Sequence, residues 1–230
     1  MPARPDSGRA VLVLDGETRK ALAVVRSLGR RGIFLIVASD CEGAIARRSR
    51  FTSESIHCPN AKSEPAAFQR WLLAFVEERR PHMVLPLTDR TVTQVLSLEN
   101  LLRSKTILPF VSNETFLAVA DKGNLIRTAK TLDIGTPETV EVRGDHPPSA
   151  EDAELVRNFR YPGVLKPRQS ESQQGERFRK VAVEYVAEPI HTLETLSRNP
   201  GIPFLLQERI EGDGVGVFAL CHRGEALQIF

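Results

Sequence analysis

Lys166 is the side chain whose setting in the sequence most suggests chemistry. It ends an apolar run at 164–166, with Tyr161-Pro162-Gly163 before it, Pro167-Arg168 after it, and a polar stretch from Gln169 to Gly175 beyond. A strand-end lysine has two outlets: it snorkels to solvent along its own methylenes, or it points its ammonium into a cleft. A cation beside a polar loop suits the second, as a clamp on phosphate oxygens. Lys122 is ambiguous alone. It falls in the first turn of a helix that Asp121 begins, where its charge opposes the helix dipole and calls for another partner. The third feature is acidic: Glu211-Gly212-Asp213-Gly214 separates the apolar runs 204–206 and 215–220. That reads as strand, turn, strand with carboxylates at the mouth, a place that could hold a nucleotide.

Other residues are weaker. Asp15-Gly16 follows the first strand, where a dinucleotide fold puts its phosphate turn, but the segment offers one glycine and no GxGxxG, so a Rossmann cofactor is not expected. The reading there is a strand-to-helix turn capped by Thr18 or Asp15. Thr88-Asp89 either caps a helix or sits at the ligand-binding edge of a sheet. The five histidines are scattered without a metal-ligand spacing and read as surface or loop residues. Trp71, with Phe68, Leu72 and Phe75 at helical spacing, reads as core.

The elements that must position these groups fall into two textures. Continuous apolar runs at 10–14, 33–38, 83–87 and 106–111 alternate with helical patterns at 19–28, 65–79 and 91–101, which predicts a parallel sheet covered on both faces. Ser112 and Asp121 are N-caps of two short helices that join the halves. After Gly135 and Pro137 come strands at 139–142, 164–166, 181–185, 204–209, 215–221 and 226–230, with helices at 150–159 and 188–197 and a hairpin turn at His222-Arg223-Gly224-Glu225. The division is therefore 1–111, an α/β domain, and 112–230, made of a helical joint at 112–134 and an α+β part at 135–230.

Bulk properties narrow the function. A chain of 230 residues can fill two modest cores, and a net charge of +2 gives no pull towards nucleic acid. Three cysteines, far apart and without a CxxC pair, suit a reducing cytoplasmic setting. No apolar run reaches about 18 residues, so neither a membrane span nor a secretory leader is expected. Residues 2–9 read as a disordered lead-in.

The segments VLVLDGETRKALAVVRSLGRRGI, DKGNLIRTAKTLDIGTPET, YPGVLKPRQS and LLQERIEGDGVGVF, in that order and spacing, resemble the ATP-grasp superfamily, and within it the carboxylate-amine ligases related to the carbamoyl-phosphate synthase large chain. The resemblance covers nearly the whole chain. It implies an N-terminal parallel-sheet, Rossmann-like domain of the pre-ATP-grasp type followed by an incomplete α+β ATP-grasp domain. Carried over by position, Lys122 and Lys166 contact ATP phosphates, Gln207 faces the adenine amine, the Glu208 carbonyl and Ile210 amide read the adenine edge, and Asp213 reaches the ribose hydroxyls. Two cations for a triphosphate, a strand edge for adenine and a carboxylate for a diol agree with that assignment.

The implied cofactors are ATP and magnesium, and the implied partners are small-molecule carboxylate and amine substrates joined through an acylphosphate. The loop after Lys166 has only Gly175 where many relatives have several glycines. The family's magnesium ligands, an acidic residue and a Glu-x-Asn pair, fall beyond Phe230, so no metal ligand or catalytic residue is assigned within this chain, and this chain alone is expected to be a poor enzyme. The alternative is a nucleotide-binding or interaction module without turnover. The open edge of the last hairpin predicts self-association into a homo-oligomer.

Overall fold

The structure is a computed structural model that describes residues 10–145, 147–169, 172–174, 177–179 and 181–230. The expected lead-in at 2–9, and Ser170, Glu171 and Gly175 of the polar loop after Lys166, lie outside the described residues. No helix among the described residues is long and apolar enough to cross a membrane.

Two compact units emerge, one built on the chain up to Leu125 and the other on Ile126–Arg168 and Val181–Phe230. In the first, β1 (Val11–Val13), α1 (Arg19–Gly29), β2 (Leu35–Ser39), β3 (Glu54–His57), α2 (Pro65–Arg79) and β4 (Met83–Leu85) alternate. The strands form a parallel sheet of order β3-β2-β1-β4. Both faces are buried, as the apolar runs predict. Leu12, Leu14 and Ile36 pack with Phe68, Leu72 and Val76 of α2, while Val11, Val13 and Val37 pack with Ala21 and Val25 of α1. Successive strand residues thus feed opposite layers.

Three elements of this unit depart from expectation. The run at 106–111 makes only a one-residue bridge, Ile107 to Met83, because Pro109 has no amide to continue a ladder. The helix expected at 91–101 starts earlier, at a Thr88 cap, and divides into α3 (Asp89–Leu96) and α4 (Glu99–Leu102). The edge strand β3 reads Glu-Ser-Ile-His, half exposed, and a search for continuous apolar runs passes over it. Next, α5 (Asn113–Ala120) is capped by Ser112, whose hydroxyl accepts from the Thr115 amide at 3.2 Å. Then α6 (Lys122–Thr131) is capped by Asp121, which accepts from Gly123 and Asn124 amides at 2.9 and 3.1 Å.

The chain continues with β5 (Thr139–Val142), α7 (Ala150–Asn158), β6 (Gly163–Pro167), the short strands β7 (Ser172–Gln174) and β8 (Arg177–Arg179), and β9 (Glu184–Val186). After these come α8 (Pro189–Arg198), β10 (Phe204–Glu208), β11 (Ala219–His222) and β12 (Glu225–Ile229). The second unit is built on an antiparallel sheet of order β5-β10-β6-β9. Phe204, Leu206, Leu165 and Val142 from one sheet face pack with Val156 of α7 and Leu196 of α8. The β11–β12 ladder is a separate hairpin turned at Arg223 (φ 52°) and Gly224 (φ 86°); the turn falls where the sequence placed it, but the strand expected over 215–221 begins only at Ala219. All of its residues are exposed.

Candidate nucleotide site

The site on the second unit follows from strand register. Directly opposed residues of antiparallel strands share a face. Gln207 on β10 opposes Thr139 on β5 and Val164 on β6, Lys166 opposes Leu205, and Val164 opposes Tyr185 on β9. Thr139, Gln207, Val164, Lys166 and Tyr185 therefore project together, away from the face that packs against α7 and α8. Close pairing of β6 with β10 requires a residue without a side chain at Gly163: a Cβ there would stand 2.9 Å from Phe159 Cε1 and 3.1 Å from the Gln207 carbonyl oxygen.

On that face a chain of hydrogen bonds crosses three strands. Lys166 Nζ donates to Gln207 Oε1 at 2.8 Å, Gln207 Nε2 donates to Thr139 Oγ1 at 3.0 Å, and Thr139 Oγ1 donates to the Pro137 carbonyl at 2.8 Å. Gln207 is 4% exposed, so both ends of its amide are satisfied within the protein, as a buried amide requires. The ammonium of Lys166 is thereby held in place, and its other protons make no hydrogen bond among the described residues. Nearby Glu141 cannot compete for it cheaply, because Arg168 binds that carboxylate at 3.2 Å and Arg127 also pairs with it.

Above this base lies a cleft of about 670 Å³ lined by Val164, Lys166, Tyr185, Glu208, Arg209 and Ile210, among others. The Arg209 guanidinium stands 5.7 Å from the centroid of the Tyr185 ring, within cation–π range. Glu208 is anchored at the end of β10: its amide donates to the Glu138 carbonyl at 2.8 Å, and its carboxylate accepts from the Glu138 amide at 3.1 Å. An aromatic and aliphatic wall beside fixed cations suits a planar heterocycle carrying an anionic group.

No protein-family model and no curated protein matches the sequence. Solved structures do match. An L-amino acid ligase from Bacillus licheniformis has a TM-score of 0.64 at 14% identity, covering 90% of this chain and 48% of its own. An N5-carboxyaminoimidazole ribonucleotide synthetase from Thermus thermophilus has a TM-score of 0.63 at 18% identity, covering 88% and 48%. The biotin carboxylase domain of the Hydrogenobacter thermophilus 2-oxoglutarate carboxylase, solved as a dimer with MgADP, ADP and bicarbonate, has a TM-score of 0.59 at 15% identity, covering 87% and 44%. The fold is that of the ATP-grasp enzymes. This chain spans less than half the length of these three proteins.

Within the ATP-grasp frame, the residues singled out from the sequence take different places. Lys166, Glu208 and Ile210 line the cleft, and the buried Gln207, which is not among the lining residues, is tied to Lys166. Gly212 lines it, while the exposed Asp213 beside it is not among the lining residues. Lys122 stands in the first turn of α6, in the portion of the chain that belongs to the first unit. Sequence reading passed over Tyr185, Val183, Val164 and Arg209. The signal was present for three of them: Val164 alternates with Lys166, and Val183 with Tyr185, at the two-residue spacing that puts strand side chains on one face.

Proposed function

We propose that this chain binds ATP in the β10 cleft and forms the nucleotide-holding part of a ligase that joins a carboxylate to an amine. The observation that carries the reading is the Lys166–Gln207 hydrogen bond at the base of a cleft with an aromatic and aliphatic wall. Lys166 binds phosphate oxygens, and the resemblance alone assigns Lys122 as a further phosphate contact. The Glu208 carbonyl and Ile210 amide read the adenine edge, Gln207 faces the adenine amine, and Asp213 takes the ribose hydroxyls. In the reaction, a carboxylate oxygen attacks the terminal phosphorus, the bond to the bridging oxygen breaks, and ADP leaves with the electron pair. The amine nitrogen then attacks the acyl carbon, phosphate departs, and the nitrogen loses a proton. What this chain supplies is the charge that holds the triphosphate in line. Among the described residues no group of three or more His, Cys, Asp or Glu is placed to hold the magnesium ion that the resemblance implies.

Thermal melting with ATP and with adenosine tests the reading. A ligand that binds only the folded state stabilises it by about 2.7 kcal/mol at a hundred times its dissociation constant, so ATP should raise the melting temperature. Lys166→Ala should weaken ATP about tenfold, the loss of one charge-assisted contact, and leave adenosine nearly unchanged. Equal losses for both ligands, or no shift with ATP at millimolar concentration, would remove the proposal. Phosphate release in the same samples separates a ligase from a module that binds nucleotide without turnover.

A further inference from the structure

The net charge of +2 is a sum that hides an uneven distribution. Residues 19–53 carry eight basic side chains and two acidic ones, so the rest of the chain is net acidic. The excess gathers on one surface of the first unit. Arg26 lies in the last turn of α1, with Arg30 and Arg31 just past its end. Arg26 and Arg30, four positions apart, share a helix face about 6 Å apart along the axis. Arg48 and Arg50 come from the loop between β2 and β3, which packs against the same end of α1. Gly29 permits the approach, since a Cβ there would stand 2.4 Å from Phe51 Cβ. The Arg50 guanidinium in turn lies 4.9 Å from the centroid of the Phe51 ring.

All five arginines are exposed, and the loop that carries two of them is fixed. The Thr52 hydroxyl donates to the Ala46 carbonyl at 2.6 Å, the Ser53 amide to the Leu35 carbonyl at 3.0 Å, and the Leu35 amide to the Ser53 hydroxyl at 3.1 Å. Elsewhere arginines are answered by carboxylates: Arg79 by Glu54 at 2.6 Å, Arg103 by Glu99 at 3.0 Å and Arg143 by Glu151 at 2.5 Å. Among the described residues, Arg26, Arg30, Arg31, Arg48 and Arg50 have no such partner. The dipole of α1 accounts for cations at its carboxyl end. It does not account for Arg48 and Arg50, which stand on a loop.

We propose that this surface binds the phosphate backbone of double-stranded nucleic acid without reading its bases. A guanidinium fork matches phosphate oxygens two at a time, and a cluster of unpaired cations of one sign is the footprint of a ligand whose charges repeat. A small anion calls for a cavity, and none of the five arginines lines the cleft of the second unit or the pocket that Asp15 and Cys58 help to line in the first. A membrane surface calls for large apolar side chains beside the cations, and of residues 19–53 only Ile45, at 41%, is a large apolar residue that is exposed. Unstacked bases call for an exposed ring, and Phe34 and Phe51 are both half-buried, which favours a duplex over a single strand. Every residue involved belongs to the first unit, so the proposal stands apart from the ATP reading.

Fluorescence anisotropy of the intact chain with labelled duplexes of about 20 base pairs is the test, using DNA and RNA, each in two unrelated sequences, between about 50 and 200 mM KCl. The two sequences of a kind should bind alike, and whichever kind binds more tightly identifies the duplex. Affinity should fall about 10²–10³-fold across that salt range, as for four or five neutralised phosphates. Arg26→Gln and Arg48→Gln should each lower the slope of log affinity against log salt by about 1 and weaken every duplex alike. Arg143→Gln, the same loss of charge in the second unit, should change neither. Circular dichroism verifies that the variants fold, and competition on the unmodified chain needs no variant: poly-L-glutamate should displace the duplex poorly. No binding at the lowest salt with tens of micromolar protein, equal losses in Arg143→Gln and the other two variants, tighter binding of single-stranded oligothymidylate than of either duplex, or displacement by poly-L-glutamate as effective, charge for charge, as by unlabelled duplex would each overturn the proposal.

Discussion

Replacing Asp15 should destabilise the first unit far more than its small size suggests. The residue sits at φ 57° and its carboxylate receives four hydrogen bonds from the β4–α3 turn. In Asp15→Ala the two hydroxyls have other acceptors, since Thr88 and Thr91 Oγ1 lie 3.2 Å apart and Thr91 Oγ1 is 3.1 Å from the Thr88 carbonyl. The Thr88 amide keeps a weak contact to Thr91 Oγ1 at 3.4 Å, and the Leu87 amide loses its acceptor. An unsatisfied amide costs about 1–3 kcal/mol, while the strain of the positive φ is borne by aspartate and alanine alike, since both carry a Cβ. The expected loss is therefore about 1–3 kcal/mol.

Urea unfolding read by tryptophan fluorescence isolates this unit. The chain has one tryptophan, Trp71, and it lies in α2 with Phe68 and Phe75 each 5.6 Å away. With a slope of about 2 kcal/mol per molar urea, the midpoint should fall by about 0.5–1.5 M. Asp15→Gly removes the backbone strain and should recover about 1 kcal/mol relative to alanine. A midpoint in Asp15→Ala within about 0.3 M of the unmodified protein, on that slope, would refute the hydrogen-bond argument. A glycine variant less stable than the alanine one would refute the dihedral argument.

Further outcomes are expected. A thiol reagent at mildly alkaline pH should modify the exposed Cys41 and Cys221 and spare Cys58 until the protein unfolds; three reactive thiols in the native protein would contradict the burial. Because the folded Cys58 thiol is raised from 9.0 to about 12, its contribution to stability is present below the unfolded value and is lost as pH rises towards the folded one. Urea midpoints compared with Cys58→Ala should show a steeper alkaline decline in the parent. Gly163→Ala should destabilise the second unit by about 1–3 kcal/mol through overpacking against Phe159, read as a lower melting temperature by circular dichroism. Tyr185→Ala should weaken adenosine and ATP by the same factor, about tenfold, as loss of a base-stacking surface would; binding assays that show a loss for ATP alone would place Tyr185 with the phosphates instead.

Much of the frame was legible because it rests on periodicity and caps. The continuous apolar strands announced a sheet buried on both faces, and Thr18, Ser112 and Asp121 accept amide protons at the helix starts they mark. What escaped were elements without such a signature: the polar edge strand β3, and the run stopped by Pro109. At the site, lysines and carboxylates stood out by their chemistry, whereas Tyr185 joins them through the register that sets it opposite Val164, and Arg209 through its approach to the Tyr185 ring. The Asp15 bonds were out of reach for a similar reason. A carboxylate and its donors 72 to 76 positions along the chain meet only because β1 and β4 are neighbours, and strand order is not written in local spacing.

The β11–β12 hairpin carries its information in an unusual place. Neither of its faces is buried, so a one-residue slip would not drive apolar groups from a core into water, the penalty that ordinarily fixes a ladder. The ladder already changes register between Leu220 and Cys221. What sets its phase is the pair of positive φ angles at Arg223 and Gly224, the geometry that matches the twist of two adjoining strands. Substitutions along the two flanks are therefore close to interchangeable for alignment, while position 224 acts as the reading frame of the whole segment.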